Sequence, residues 1–270
     1  MTIGPDSATE QAYFTKGWYR FAYDPVLAQW IELTLEAARS AVAAPENAEW
    51  LRCGGTWFAG VNVLPNNAFG AVAGGTAVAG QAIDFVRGAL GQTDPTWDRA
   101  QVSVVYPGYP LPMVSESTAA YHYRRDRDAA HLDGVLRVGP QKRRHLREHH
   151  AFILGIPMVQ VSTDASPLVV WEGSHDIVRR RFRDYLRDTP PADWPGVDIT
   201  ELYQATRKEI FVDCPRVTIT ARPGEAYLVH RLALHGIAPW TTSACTGPDG
   251  RMIVYFRPDI GGAQPWLFAR

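Results

Sequence analysis

From Gln101 onward the chain is written in short apolar runs broken by turns, and no other feature limits its fold so strongly. Val102, Val104 and Tyr106 alternate with Ser103 and Val105 before Pro107-Gly108 ends the run. Residues 151–161 (AFILGIPMVQV) form a second run and 167–171 a third. Residues 217–220 make a fourth, followed by a turn at Pro223-Gly224; residues 226–234 and 252–256 complete the series. Runs this short, rich in β-branched and aromatic residues, predict strands. Several of them with tight turns predict a sandwich or barrel. The first 100 residues read differently. Leu27, Trp30, Ile31, Leu33, Leu35 and Ala38 recur at helical spacing, which predicts a helix over 24–44. Ile83, Phe85, Val86 and Leu90 predict another over 81–90, whereas 54–80, rich in Gly, Ala and Val, has no clear period. The expectation is one domain over 1–270, mainly β. Its first 100 residues form mostly helical support packed outside a barrel over 101–258.

With 270 residues, 46% of them hydrophobic, the chain can bury a sizeable core. A formal net charge of -1 argues against a nucleic-acid or membrane-surface partner. Cys53, Cys214 and Cys245 lie far apart and form no CxxC pair, which disfavours a cysteine zinc site and fits a reducing compartment. The opening MTIGPDSATEQ lacks the basic and apolar stretches of a leader, and no apolar run reaches membrane-spanning length. The expectation is therefore cytoplasmic. Nine tryptophans and eleven tyrosines suit an aromatic pocket, with ordinary core packing as the default.

His131-Leu132-Asp133 carries the sharpest chemical signal. In a strand, residues i and i+2 share a face, so imidazole and carboxylate aim at one point. A third ligand must come from elsewhere. Two His and one carboxylate on one side of a metal leave adjacent positions open, the arrangement of non-haem Fe(II) oxygenases. The tripeptide alone is common by chance; the elements downstream of it give it weight. These are Gly173-Ser174-His175, then Leu234-His235-Gly236, then Arg251 opening the last strand.

In that order the elements resemble the phytanoyl-CoA dioxygenase-like family of 2-oxoglutarate oxygenases. The resemblance covers about 101–258, with a looser match at Gly17-Trp18-Tyr19-Arg20-Phe21. It implies a double-stranded β-helix, a jelly-roll barrel of the cupin type. It implies Fe(II) held by His131, Asp133 and His235, and 2-oxoglutarate as co-substrate with its far carboxylate on Arg251. O₂ and a small organic molecule would be the other partners, with succinate and CO₂ released. A carboxylate at 133, where related halogenases carry a small residue, implies hydroxylation. There are departures. Ile237 stands where the family often has a small hydroxyl residue, and Pro239-Trp240 replaces Pro-Asn. Arg251 lies sixteen positions beyond His235, longer than usual, so 241–250 reads as an insertion. Arg257, before Pro258, reads as an exposed or structural ion pair.

Other readings compete. His230 is the rival third ligand, with a packed role as its default. His145-Leu146-Arg147-Glu148-His149 matches H-x-x-E-H, which on a helix would bring His145 and His149 to one face as in a zinc hydrolase. Its neighbours Lys142, Arg143, Arg144 and Arg147 disfavour a cation there. A non-catalytic cupin-like binding protein is the remaining alternative. Arg179-Arg180-Arg181-Phe182-Arg183, in a helix expected over 176–187, reads as a solvated face, a patch for an anionic partner, or a pocket mouth attracting an acidic substrate. Ser174 reads as that helix's cap and His175 as structural. Tyr121 and Tyr123 can face either pocket or core.

Overall fold

Five strands of this chain are buried along their whole length because both of their sides are covered. The computed structural model describes residues 7–92, 95–114 and 116–270. The opening read as lacking a leader begins in residues 1–6, outside the described residues. The strands are β1 (Trp18–Phe21), β2 (Leu51–Arg52), β3 (Trp57–Gly60), β4 (Gln101–Val105), β5 (Val135–Val138), β6 (Arg143–Leu146), β7 (Phe152–Pro157), β8 (Leu168–Trp171), β9 (Arg216–Ile219), β10 (Ala226–His230), β11 (His235–Ile237) and β12 (Arg251–Phe256). The α-helices are α1 (Ser7–Lys16), α2 (Pro25–Ala43), α3 (Gln81–Gly88), α4 (Thr118–Asp126), α5 (Ser174–Leu186), α6 (Thr200–Asp213) and α7 (Ala263–Phe268). A large antiparallel sheet runs β1-β10-β7-β12-β4-β3-β2, a small one runs β11-β8-β9, and β5-β6 is a separate hairpin.

The chain crosses repeatedly between the two sheets. β7 lies in the large sheet, β8 and β9 in the small, β10 in the large, β11 in the small and β12 in the large. The small sheet is extended beyond β11 by one backbone bridge, His131 to His235. That alternation is the double-stranded β-helix. Ile153, Tyr227, Val229, Ile253 and Tyr255 from the large sheet meet Leu168, Val170 and Ile219 from the small one between the layers. The alternate residues Phe152, Leu154, Ile156, Leu228, Val254 and Phe256 point outward, against Leu27, Trp30 and Ile31 of α2 and Ile83 and Phe85 of α3. Outside the small sheet, Val169 and Trp171 pack on Val178 and Phe182 of α5 and Tyr203 and Ile210 of α6. Period-2 alternation is therefore present in geometry and hidden in sequence.

Helix α2 begins where Asp24 accepts from Val26 N at 2.9 Å, with Pro25 in the first turn. The same carboxylate accepts from Gln81 N at 2.8 Å and so holds the start of α3 against α2. Burying Leu27 or Ile31 contributes roughly 1.5–3 kcal/mol each; Leu33 faces solvent instead. Among the described residues no helix is long and apolar enough to cross a membrane.

Several expectations need correction. Strands β1, β2 and β3 arise within the first 60 residues and extend the large sheet. His145 lies on β6, and His149 lies beyond its end, so they share no helix face. Helix α5 starts at Ser174, and Ser174 is no cap: its Oγ accepts from Leu234 N at 2.9 Å and ties α5 to the segment before β11.

Candidate metal centre

His131 and His235 face each other because their backbones are paired. His131 N donates to His235 O at 2.8 Å, and His235 N to His131 O at 3.1 Å. Residues exchanging both hydrogen bonds in an antiparallel pair project side chains to the same face. The two ring centroids lie 4.5 Å apart. The pairing requires Gly236: a Cβ there would stand 2.1 Å from Asp128 O. Ile237 N continues the contact, donating to Asp128 O at 2.8 Å. The expected regular strand at His131-Leu132-Asp133 is thus a single bridge. Gly134, at φ +83°, turns the chain immediately after Asp133.

Each imidazole is oriented by the backbone. His131 Nδ1 meets Ala129 O at 3.0 Å, and His235 Nδ1 meets Ala233 O at 2.9 Å. A carbonyl oxygen only accepts, so Nδ1 of each ring carries a proton and Nε2 is the atom each ring leaves free to meet a ligand. The two Nε2 atoms converge on one oxygen: Asp133 Oδ1 is 3.2 Å from His131 Nε2 and 3.7 Å from His235 Nε2. The three donor atoms lie within 4.8 Å of one another, and no other such group of His, Cys, Asp or Glu occurs among the described residues. Backbone partners that fix a histidine's tautomer and tilt are what metal-binding imidazoles require. His235 and Asp133 are buried, while the His131 side chain is 47% exposed and forms the open side.

Asp133's other oxygen is engaged too. Arg257 Nη1 stands 3.3 Å from Oδ2. Burial alone would raise the Asp133 carboxyl, but Arg257, His131 and His235 outweigh it and hold it well below the usual range. Burial, reinforced by His131, pushes His235 down to about 4. Both groups are therefore in the metal-binding protonation state at neutral pH. Arg257 is thus more than an exposed or structural pair: it touches the triad, which its position before Pro258 does not reveal.

Arg251 is at the other end of the same interior row. Strand alternation puts 251, 253, 255 and 257 on one face. Arg251 is buried against Tyr227 and Tyr255, whose hydroxyls are joined at 2.8 Å, and its Nη1 has no partner. No carboxylate answers it among the described residues. Ile237 packs with Val105, Tyr109 and Trp240. Thr241, in the 241–250 loop, spends its hydroxyl on Asp164 at 2.7 Å and supplies nothing to Arg251.

The remaining candidates are structural. His230 is buried; its Nδ1 accepts from Leu232 N at 3.0 Å and its Nε2 lies 3.1 Å from Arg179. His175 meets Phe14 O at 2.9 Å and packs on His230. Arg179, Arg180 and Arg183 line with Asp176 and Asp184 a hollow on α5 that includes no residue of the triad. Tyr123, by contrast, lines a cavity that reaches His131.

Fold and site together define a double-stranded β-helix protein with a His-x-Asp…His cluster at the edge of the small sheet. No family model and no curated protein sequence matches the chain. Solved structures of similar fold include the non-heme alpha ketoglutarate dependent carbocyclase SnoK from nogalamycin biosynthesis, at 13% identity over 95% of this chain and 88% of that one, with a TM-score of 0.49. EctD from S. alaskensis with bound Fe is similar at 15% identity over 95% and 78%, TM-score 0.49. AviO1 from Streptomyces viridochromogenes Tue57 is similar at 13% over 97% and 98%, TM-score 0.40. Likeness at these values carries no assignment of chemistry, which has to come from this chain's own side chains.

Proposed function

We propose that the protein is an Fe(II)- and 2-oxoglutarate-dependent dioxygenase hydroxylating a small organic substrate. One observation carries the reading: two Nε2 atoms and one carboxylate oxygen converge at the barrel edge, each histidine oriented by a backbone carbonyl. Two nitrogens and one oxygen on one side suit non-haem iron with positions left open. Arg251 is a buried cation with an unpartnered Nη1 and two tyrosines beside it, a setting that suits a carboxylate. Iron and 2-oxoglutarate, when bound, supply O₂ activation with release of succinate and CO₂.

The chain's own residues do the rest. His131, Asp133 and His235 hold the metal. Arg257 grips Asp133 Oδ2 and leaves Oδ1 toward the imidazoles. Arg251, with its unpartnered Nη1, is the residue assigned to the far carboxylate of the co-substrate. Ile153, Leu168, Val170 and Ile253 pack between the two sheets and keep water from that layer. Asp133 favours hydroxylation over halogenation because its carboxylate fills the position a halide would take.

The zinc-hydrolase alternative loses its basis with His145 on a strand and outside any cluster. The test is Fe(II) binding and succinate release, wild type against Asp133→Ala. Wild type should bind one Fe(II) per chain and turn over 2-oxoglutarate, and Asp133→Ala should do neither. Full iron content and turnover in Asp133→Ala would overturn the assignment, and iron binding without any 2-oxoglutarate binding would favour a non-catalytic cupin-like protein.

A further inference from the structure

The cavity beside His131 is walled by cations that no acid answers. Its volume is about 800 Å³, and it lies among α4, the β5-β6 hairpin and α6. Arg137 and Lys142 stand exposed at its rim, and Arg144 and Arg207 lie half-buried within it. The acids of adjoining elements are already paired: Glu116 with Arg124, and Asp198 and Glu201 with Arg143. Among the described residues none of the four cations belongs to an ion pair.

Aromatic rings hold the inner two. Arg207 lies over Tyr203 at 4.5 Å and over Tyr123 at 4.8 Å, and Arg144 lies over Tyr203 at 5.2 Å. Stacking fixes each guanidinium plane without neutralising its charge. Arg144 Nη1 donates to Val135 O at 3.0 Å, while Arg207 Nε is buried with no partner. Burial, together with the neighbouring cations Arg137 and Arg207, holds Arg144 below its ordinary pKa. Like charges crowded this way are unfavourable until an anion arrives. The cluster is also tied to the metal centre: Arg207 Nη1 donates to Tyr123 OH at 2.6 Å, and Tyr123 OH donates to Ala130 O at 2.8 Å, next to His131.

We propose that this cavity takes the substrate, and that the substrate carries a carboxylate or phosphate group held by Arg144 and Arg207, with its reacting carbon turned toward His131. The inference rests on the oxygenase reading for the reaction, but the anion site is testable without it. The volume falls in the range of small-molecule sites, and fixed planar donors suit both anions.

The experiment is isothermal titration of the metal-free protein at low salt with two probes, inorganic pyrophosphate and benzoate. At least one should bind saturably at one site per chain, and the preferred probe identifies phosphate or carboxylate. Arg144→Gln/Arg207→Gln should weaken that binding at least about ten-fold. Arg183→Gln, on α5, should not change it. Should the double variant fail to fold, Arg137→Gln/Lys142→Gln at the exposed rim takes its place and should weaken binding about three-fold. Because the titration uses the metal-free protein and reads no turnover, failure of the metal assignment and failure of the anion site are separable. No saturable binding of either probe, or equal loss in Arg183→Gln, would overturn the proposal.

Discussion

Arg251 is the residue whose removal separates binding from folding. It is 5% exposed, and its Nη1 lacks a partner. In the proposed complex it answers the far carboxylate of 2-oxoglutarate. Arg251→Met keeps length and burial but removes the charge, leaving that carboxylate buried and unpaired. Removing one partner of a buried pair costs about 3–5 kcal/mol. At about 1.4 kcal/mol per decade, the dissociation constant should rise by roughly two to three and a half orders of magnitude. Without ligand, burial opposes the charge, but Tyr255 and Tyr227 outweigh burial and hold the Arg251 pKa above its ordinary value, so ligand-free Arg251→Met should melt no higher than ligand-free wild type. Saturating 2-oxoglutarate at about 100 times its dissociation constant should stabilise the wild type by roughly 2.7 kcal/mol and the variant hardly at all. The assays are anaerobic titration of the Fe(II) protein and thermal melts with and without 2-oxoglutarate. Iron content should stay normal in Arg251→Met, whereas Arg257→Ala should lose iron affinity through Asp133. Normal 2-oxoglutarate affinity in Arg251→Met, with collapse in iron-loaded Arg257→Ala, would show that the wrong end of β12 has been assigned.

Three further outcomes are expected. His145→Ala/His149→Ala should leave metal stoichiometry and succinate release unchanged, and loss of metal in that variant would revive the hydrolase reading. Gly236→Ala should drive 128–131 off β11, because its Cβ would meet Asp128 O at 2.1 Å, and iron binding should fail although the barrel still folds by circular dichroism. For pH, His235 titrates at about 4 in the fold against 6.5 ordinarily. The unfolded chain therefore takes up the proton first, and stability is lost as pH falls from 6.5 toward 4, by on the order of 3 kcal/mol. Urea unfolding of the metal-free protein at pH 7 and pH 4.5 measures this, and equal stabilities would contradict the burial argument for His235.

Much of the barrel is legible in the sequence because its strands are short, apolar and closed by turns; β4, β7, β8, β9, β10 and β12 all overlap predicted runs. Helix α6 is not. Its buried positions Tyr203, Thr206 and Ile210 keep helical spacing, but the charged residues between them dilute the apolar signal. Strands β1 to β3 are four residues or fewer and lie beside helical or glycine-rich sequence that masks them. At the site, order along the chain points to His131, Asp133 and His235. It does not point to Arg257 as their neighbour, because its contact with Asp133 crosses 124 positions. Nor does it point to Arg144 and Arg207, whose importance comes from what they lack: a neighbouring acid is visible in a sequence only when it is near in the chain.

One of the three proposed ligands, His131, sits on a segment that could detach while the rest of the sandwich stays intact. Residues 128–131 meet β11 through three backbone hydrogen bonds, from Ile237 N, His131 N and His235 N. The large-sheet strands around them are instead zipped along whole ladders. Opening that short seam would cost far less than global unfolding, so its amides should exchange with solvent early. Apparent affinity for the ion is then the intrinsic affinity multiplied by the fraction of molecules with the seam closed. A substitution that never approaches the ligands can therefore tune metal occupancy. Arg216, which clamps Asp128 through two contacts of 2.7 Å, is positioned to set that fraction.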